Sequence, residues 1–168
     1  MRTNWKFVVI VAATALTGAA GAGVAQASPV TAGSVAPSAC RPANHTAKIT
    51  EAPASAGHRH YRVTLTVPRG YEPCRLAGSP TNVRFSDRGS ETGVAAGHYG
   101  NQATVVIFGP GHPVHFDIQV PSSGRSTAAR EASFTLQAPD GEIPGTSVAQ
   151  GKLKVATGTL IGPVQRGA

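Results

Sequence analysis

The sequence is poor in most of the features that announce a function. Charged residues make up 14% of its 168 positions and aromatics 5%, with two cysteines, one tryptophan and one methionine. Two cysteines cannot build a four-cysteine zinc site or a multiply bridged mini-protein. The few charges form no run of like sign, which excludes a basic or acidic tail. Without a basic stripe interleaved with aromatics there is no platform for nucleic acid, so no nucleic-acid partner is expected. Gly-x-Ser-x-Gly, His-Glu-x-x-His, P-loop, dinucleotide and EF-hand patterns are all missing. Ser122, Ser123 and Ser126 lie in a polar stretch, and acids such as Asp87, Asp140 and Glu142 fall at turns. No pair of carboxylates flanks a recognisable cleft. These absences lead to the expectation of a protein that is not an enzyme and carries no cofactor. The 40% hydrophobic content excludes wholesale disorder, and 20 glycines without a period exclude collagen.

What is present begins with an export signal. Arg2 and Lys6 precede an apolar run from Phe7 through Leu16, and Ala25-Gln26-Ala27 has the small-x-small form accepted by signal peptidase. Residues 1–27 are therefore read as a cleaved signal peptide, and the protein as secreted. Loss of Arg2 and Lys6 takes the formal charge from +7 to +5. No later stretch approaches the ~20 apolar residues of a membrane span, so no stable membrane anchor is expected. Residues 28–39, rich in Ser, Ala, Pro and Val, read as a flexible leader. Residues 40–162 form the folded domain and 163–168 a tail.

Within the domain the period is two. Tyr61, Val63, Leu65 and Val67 alternate with Arg62, Thr64 and Thr66. Val114, Phe116, Ile118 and Val120 alternate with His115, Asp117 and Gln119 in the same way. Further strands are expected at 46–51, 82–86, 103–108 (apolar throughout, hence buried on both faces), 132–138, 152–155 and 159–161. No stretch has a sustained helical period; the nearest, 126–131, is short and polar. Turns fall at Asp87-Arg88-Gly89-Ser90 and Gly109-Pro110-Gly111. Seven or eight short strands with regular turn signals predict an all-β, immunoglobulin-like antiparallel sandwich. With few aromatics available, Val and Leu should carry most of its burial. Cys40 and Cys74, in an oxidising compartment, should form one structural disulfide.

Around the second cysteine stands Cys74-Arg75-Leu76-Ala77-Gly78-Ser79-Pro80, a C-x-L-x-G-x-P pattern. It follows a first cysteine and a glycine-preceded strand (Gly57 into 60–67). It precedes a strand with an Asp-x-Gly turn (Val83 to Gly89), a strand ending in Gly109-Pro110-Gly111, and a final Gly-x-Leu-x-Val strand from Gly151 to Val155. In this order of motifs the chain resembles the secreted actinobacterial family known as domain of unknown function 4232. It departs from that family in lacking a further cysteine pair in its second half. The resemblance implies compartment and fold, and no chemistry.

Two sets of residues remain as candidates for function. His58 and His60 share a strand face, and His112 and His115 flank a sharp turn. Together they offer the imidazoles of a copper or zinc site, which makes an extracytoplasmic metal-handling protein the alternative reading. The leading expectation is a monomeric, non-catalytic binding module for an extracellular or cell-wall ligand. Its contact loops would be 87–93 and 98–102, with Arg88 and an exposed Tyr99 as the residues most suited to contact.

Overall fold

The computed structural model describes residues 36–168; the expected signal peptide and most of the expected leader lie outside them. The described chain is all-β. After a single 3-10 turn (Pro42–Asn44) come β1 (Thr46–Ser55), β2 (His58–Thr66), β3 (Cys74–Ala77), β4 (Thr81–Asp87), β5 (Ser90–Glu91), β6 (Gly97–His98) and β7 (Val105–Phe108). They are followed by β8 (Val114–Pro121), β9 (Thr127–Thr135), β10 (Gln137–Ala138), β11 (Gly141–Glu142), β12 (Ser147–Val155), β13 (Leu160–Ile161) and β14 (Gln165–Arg166).

Ten of these strands form one hydrogen-bonded sheet in the order β5-β4-β9-β12-β1-β2-β8-β13-β6, with β14 also on β8. β3 pairs with β7, and β10 with β11. The large sheet is not flat. Four strand steps separate β9 from β8 along it, roughly 19 Å at the usual inter-strand spacing. Yet Phe134 of β9 and Phe116 of β8 meet edge to face with ring centroids 5.0 Å apart. The sheet therefore curls over so that β4-β9-β12 faces β1-β2-β8 across a common core.

The core follows from the period-two pattern. Val63, Leu65, Val114, Phe116, Ile118, Val120, Phe134 and Val155 are completely buried. Six valines and four leucines supply most of the large buried side chains, as expected. Phe85, Phe108, Phe116 and Phe134 are the largest fully buried side chains. Few aromatics suffice because every one lying within strands points inward.

Two tight hairpins organise the halves. Ala56 (φ 45°) and Gly57 (φ 77°) link β1 to β2, and Arg88 (φ 50°) and Gly89 (φ 84°) link β4 to β5. Positive φ at both central positions is the type I′ geometry, whose twist suits paired strands. One crossing also demands glycine. β1 runs parallel to β12 only at Ala47↔Ala149 and Lys48↔Gln150. Directly beyond, a Cβ on Gly151 would sit 2.3 Å from the Ile49 carbonyl oxygen. Without a side chain there, β1 can cross close over β12 before the two part.

Several expectations are corrected. Among the described residues there are fourteen strands, not seven or eight, because short edge pairings add to the long ones. The 103–108 run is not buried on both faces: β7 pairs only with the short β3, and Ile107 is 50% exposed. The polar 126–131 stretch is the first part of β9, its burial set by tertiary pairing with β12. The expected tail belongs to the fold, since Val164 is buried and β14 covers β8. The end of the expected leader is also held: Ala39 is buried and its N–H donates to the Glu72 carbonyl at 2.8 Å.

Candidate functional site

The disulfide forms as expected between Cys40 and Cys74. Around it lies an open groove of about 1170 Å³. One wall is the segment from Ser38 to Ala43. The Asn44 side-chain amide donates to the Ser38 carbonyl (2.7 Å), and the Glu72 N–H donates to the Pro37 carbonyl (3.1 Å). Pro73 and Cys74, at the start of β3, line the groove between the walls. The far wall runs from Ala138 to Thr146, through the β10–β11 hairpin. That hairpin is fixed to β4 by the Glu142 carboxylate, which accepts from the Thr81 hydroxyl at 2.8 Å. Pro42, Pro73, Pro139 and Pro144 give the lining rigid apolar faces with no N–H donor. Ile143 and Ala43 add to them. Arg41 and Arg75 stand at the rim, and neither has a carboxylate within ion-pairing distance among the described residues.

Behind this groove His45 ties the elements together. Its Nδ1 lies 3.0 Å from the Ala39 carbonyl oxygen, its Nε2 3.0 Å from the Ser147 hydroxyl, and its ring packs edge-on against Phe108. A carbonyl can only accept, so Nδ1 carries the proton and Nε2 accepts from Ser147. Desolvation by burial lowers the His45 pKa below its ordinary value, outweighing the backbone hydrogen bonds from Ala39 and Arg41 that act to raise it. The residue is a neutral fastener.

The four histidines proposed as a metal set do not converge. His58 and His60 share a face, with ring centroids 6.5 Å apart. His60 is also 3.1 Å from the Ser55 hydroxyl. The β2–β8 register, however, places Thr64 beside His115. His115 is thus four residues farther along the sheet than His60, ~13 Å at the strand rise. It is buried under the C-terminal strand, its Nδ1 donating to the Gly167 carbonyl at 3.1 Å. His112 stands exposed at the turn before β8. Among the described residues no three His, Cys, Asp or Glu side chains gather as a ligand set.

The two loop candidates differ. Arg88 is exposed at the tip of its type I′ turn. Tyr99 is half-buried rather than exposed: its ring lies over Gly162, where a Cβ would come within 2.8 Å of the hydroxyl. Burial, with the Asp117 charge adding to it, pushes its phenol pKa up. The rest of 98–102 is a clasp. The Gln102 side chain accepts from the Ser79 N–H (2.6 Å) and donates to the Tyr99 carbonyl (2.9 Å), which secures the segment after Cys74.

This clasped, disulfide-tied segment lies within a span shared with a known family. Residues 40–164 match the family described as Domain of unknown function (DUF4232). The chain belongs to the DUF4232 family. No curated protein and no solved structure matches it. The matched span runs from the first cysteine to the buried Val164, so the DUF4232 domain takes in most of the groove lining and residues 163–164 of the stretch first read as a tail.

The sequence also gave no sign of a second concavity. Arg59, Arg130, Lys152 and Lys154 come from three strands and line a cleft of about 440 Å³ with Glu51 and Asp87. Their charge is scattered along the chain, and only the β9–β12 register and the parting of β1 from β12 bring it together. The available signal was the alternation Lys152-Leu153-Lys154, which sets two lysines on one face.

Proposed function

We propose that this protein is a secreted, non-catalytic binding module of the cell envelope or extracellular space, and that the groove beside the disulfide holds an anionic amphiphile. The groove carries this reading: a rigid apolar trough with two unpaired arginines at its rim. A peptide lying there would need backbone hydrogen-bond partners. Four proline rings offer no donors, whereas an alkyl chain needs none and gains about 0.8 kcal/mol per buried CH₂. Arg41 and Arg75 supply the attraction for a carboxylate or phosphate head, with Asp140 as the one opposing charge. The volume lies just above the roughly 300–1,000 Å³ typical of small-molecule sites.

Export is supported by the leader pattern of residues 1–27 and by the disulfide, a bond characteristic of oxidising compartments. An immunoglobulin-like assignment is supported by the strand path. β1-β2-β8 corresponds to the A-B-E half and β12-β9-β4 to the G-F-C half, with β1 shared between them.

The test is calorimetric titration of the disulfide-bonded protein with decanoate below its micellar concentration, with decanol as the neutral control. The expected result is saturable binding of the anion. It should be weakened about tenfold or more by Ile143→Asp and by the pair Arg41→Gln/Arg75→Gln, a loss of about 1.4 kcal/mol. Absence of saturable binding, or equal binding by the variants, would refute the reading.

A further inference from the structure

We infer that the cleft at the other end of the strands is a separate site for phosphate groups. The register of the sheet builds it. β1 stays beside β12 only through Lys48 and Gln150, crosses over Gly151, and then diverges. The next residues of β12 have lost that neighbour, and the Lys154 N–H donates instead to the Tyr61 hydroxyl at 3.1 Å. The opening between the two half-sheets is lined by the cations Arg59, Arg130, Lys152 and Lys154 and the acids Glu51 and Asp87.

The charges do not cancel. Asp87 pairs with Arg130 at 3.2 Å. Lys152, Lys154 and Arg59 have no ion-pair partner among the described residues and share the cleft with Glu51 and Asp87, whose Oδ1 is buried without a hydrogen-bond partner. Like charges on adjacent strands repel, and a bound anion would relieve that repulsion. Arg59 adds directionality. Its Nη2 donates to the Pro121 carbonyl at 3.3 Å, while its Nε is buried and finds no acceptor within the protein. An oxyanion oxygen would supply one.

Phosphate fits better than carboxylate. It has more acceptor oxygens for cations converging from three strands, and guanidinium and ammonium groups both bind it. The cleft exceeds the size of a single phosphate, so ligands with two or more phosphates in sequence should bind best. This site is independent of the apolar groove. About six residues of β12 lie between them, ~20 Å at the strand rise.

The experiment is titration of the disulfide-bonded protein, at fixed ionic strength, with orthophosphate, pyrophosphate, poly(glycerol phosphate) and acetate. Pyrophosphate or the polymer should bind saturably and more tightly than acetate. A preference for pyrophosphate would identify a free phosphate ligand, and a preference for the polymer a polymer-borne phosphodiester. Lys152→Gln/Lys154→Gln, exposed positions whose exchange should leave the melting temperature unchanged, should weaken binding about tenfold. Arg59→Gln should do the same, and Arg41→Gln/Arg75→Gln should have no effect. Binding of acetate equal to that of the phosphates would overturn the proposal. So would full binding by the double lysine variant.

Discussion

The two ends of the curled sheet are built in different ways. The groove is made from short contiguous segments fixed by local devices: a disulfide, prolines, a 3-10 turn and a two-residue hairpin. The cleft is made from residues on β1, β2, β4, β9 and β12 that only the long-range register brings together. One end depends on covalent and local constraint, the other on the path of one strand over another. Damage to one should therefore leave the other largely intact.

Removing the disulfide separates them most sharply. The two cysteines are 34 residues apart. Chain entropy assigns a loop of that size about 3–4 kcal/mol, a large part of the 5–15 kcal/mol of a typical domain. Cys40→Ala/Cys74→Ala should lower the urea midpoint accordingly. Amide exchange should accelerate first at residues 38–44 and 72–76, while the β9–β12 ladder beside the cleft keeps its protection longest. Uniform acceleration across both regions would erase the distinction.

Gly151→Ala tests the other end. The new methyl would meet the Ile49 carbonyl, so β1 must move away from β12. Overpacking of this kind costs about 1–3 kcal/mol. The loss should appear as a lower melting temperature with altered amide shifts along 47–51 and 150–154, and unchanged shifts around Cys40 and Cys74. A neutral substitution would mean that the crossing is looser than described.

His45 gives the smallest effect, on the groove side. Its folded-state pKa is depressed by burial. Below about 6.5, the ordinary value, the unfolded chain takes up a proton that the folded chain resists, so stability declines as pH falls through that region. The decline ends once pH passes below the folded-state pKa. His45→Gln should flatten this part of the pH–stability curve measured by urea unfolding. An unchanged slope would remove His45 as its source.

The contrast also explains what the sequence revealed. Strands with strict alternation, β2 and β8 above all, were legible because one face is core and the other is not. The disulfide and the type I′ turn at Arg88-Gly89 were legible because their chemistry is local. The first part of β9 was hidden because Thr127 to Glu131 is polar and its pairing is set by β12. His115 and Tyr99 were misplaced for a related reason: alternation predicts which face a side chain takes, but not that β14 or the 160–163 segment covers that face. The cationic cleft was illegible because no window of sequence contains it.

The most direct test of the account is a pair of amide-shift maps on the isotope-labelled, disulfide-bonded protein, one with decanoate below its micellar concentration and one with pyrophosphate. The account predicts that decanoate shifts residues 38–44, 73–75 and 138–146, with pyrophosphate shifting 51, 59–61, 128–130 and 152–154. Shifts by decanoate scattered over the surface, or absent from the groove, would contradict it.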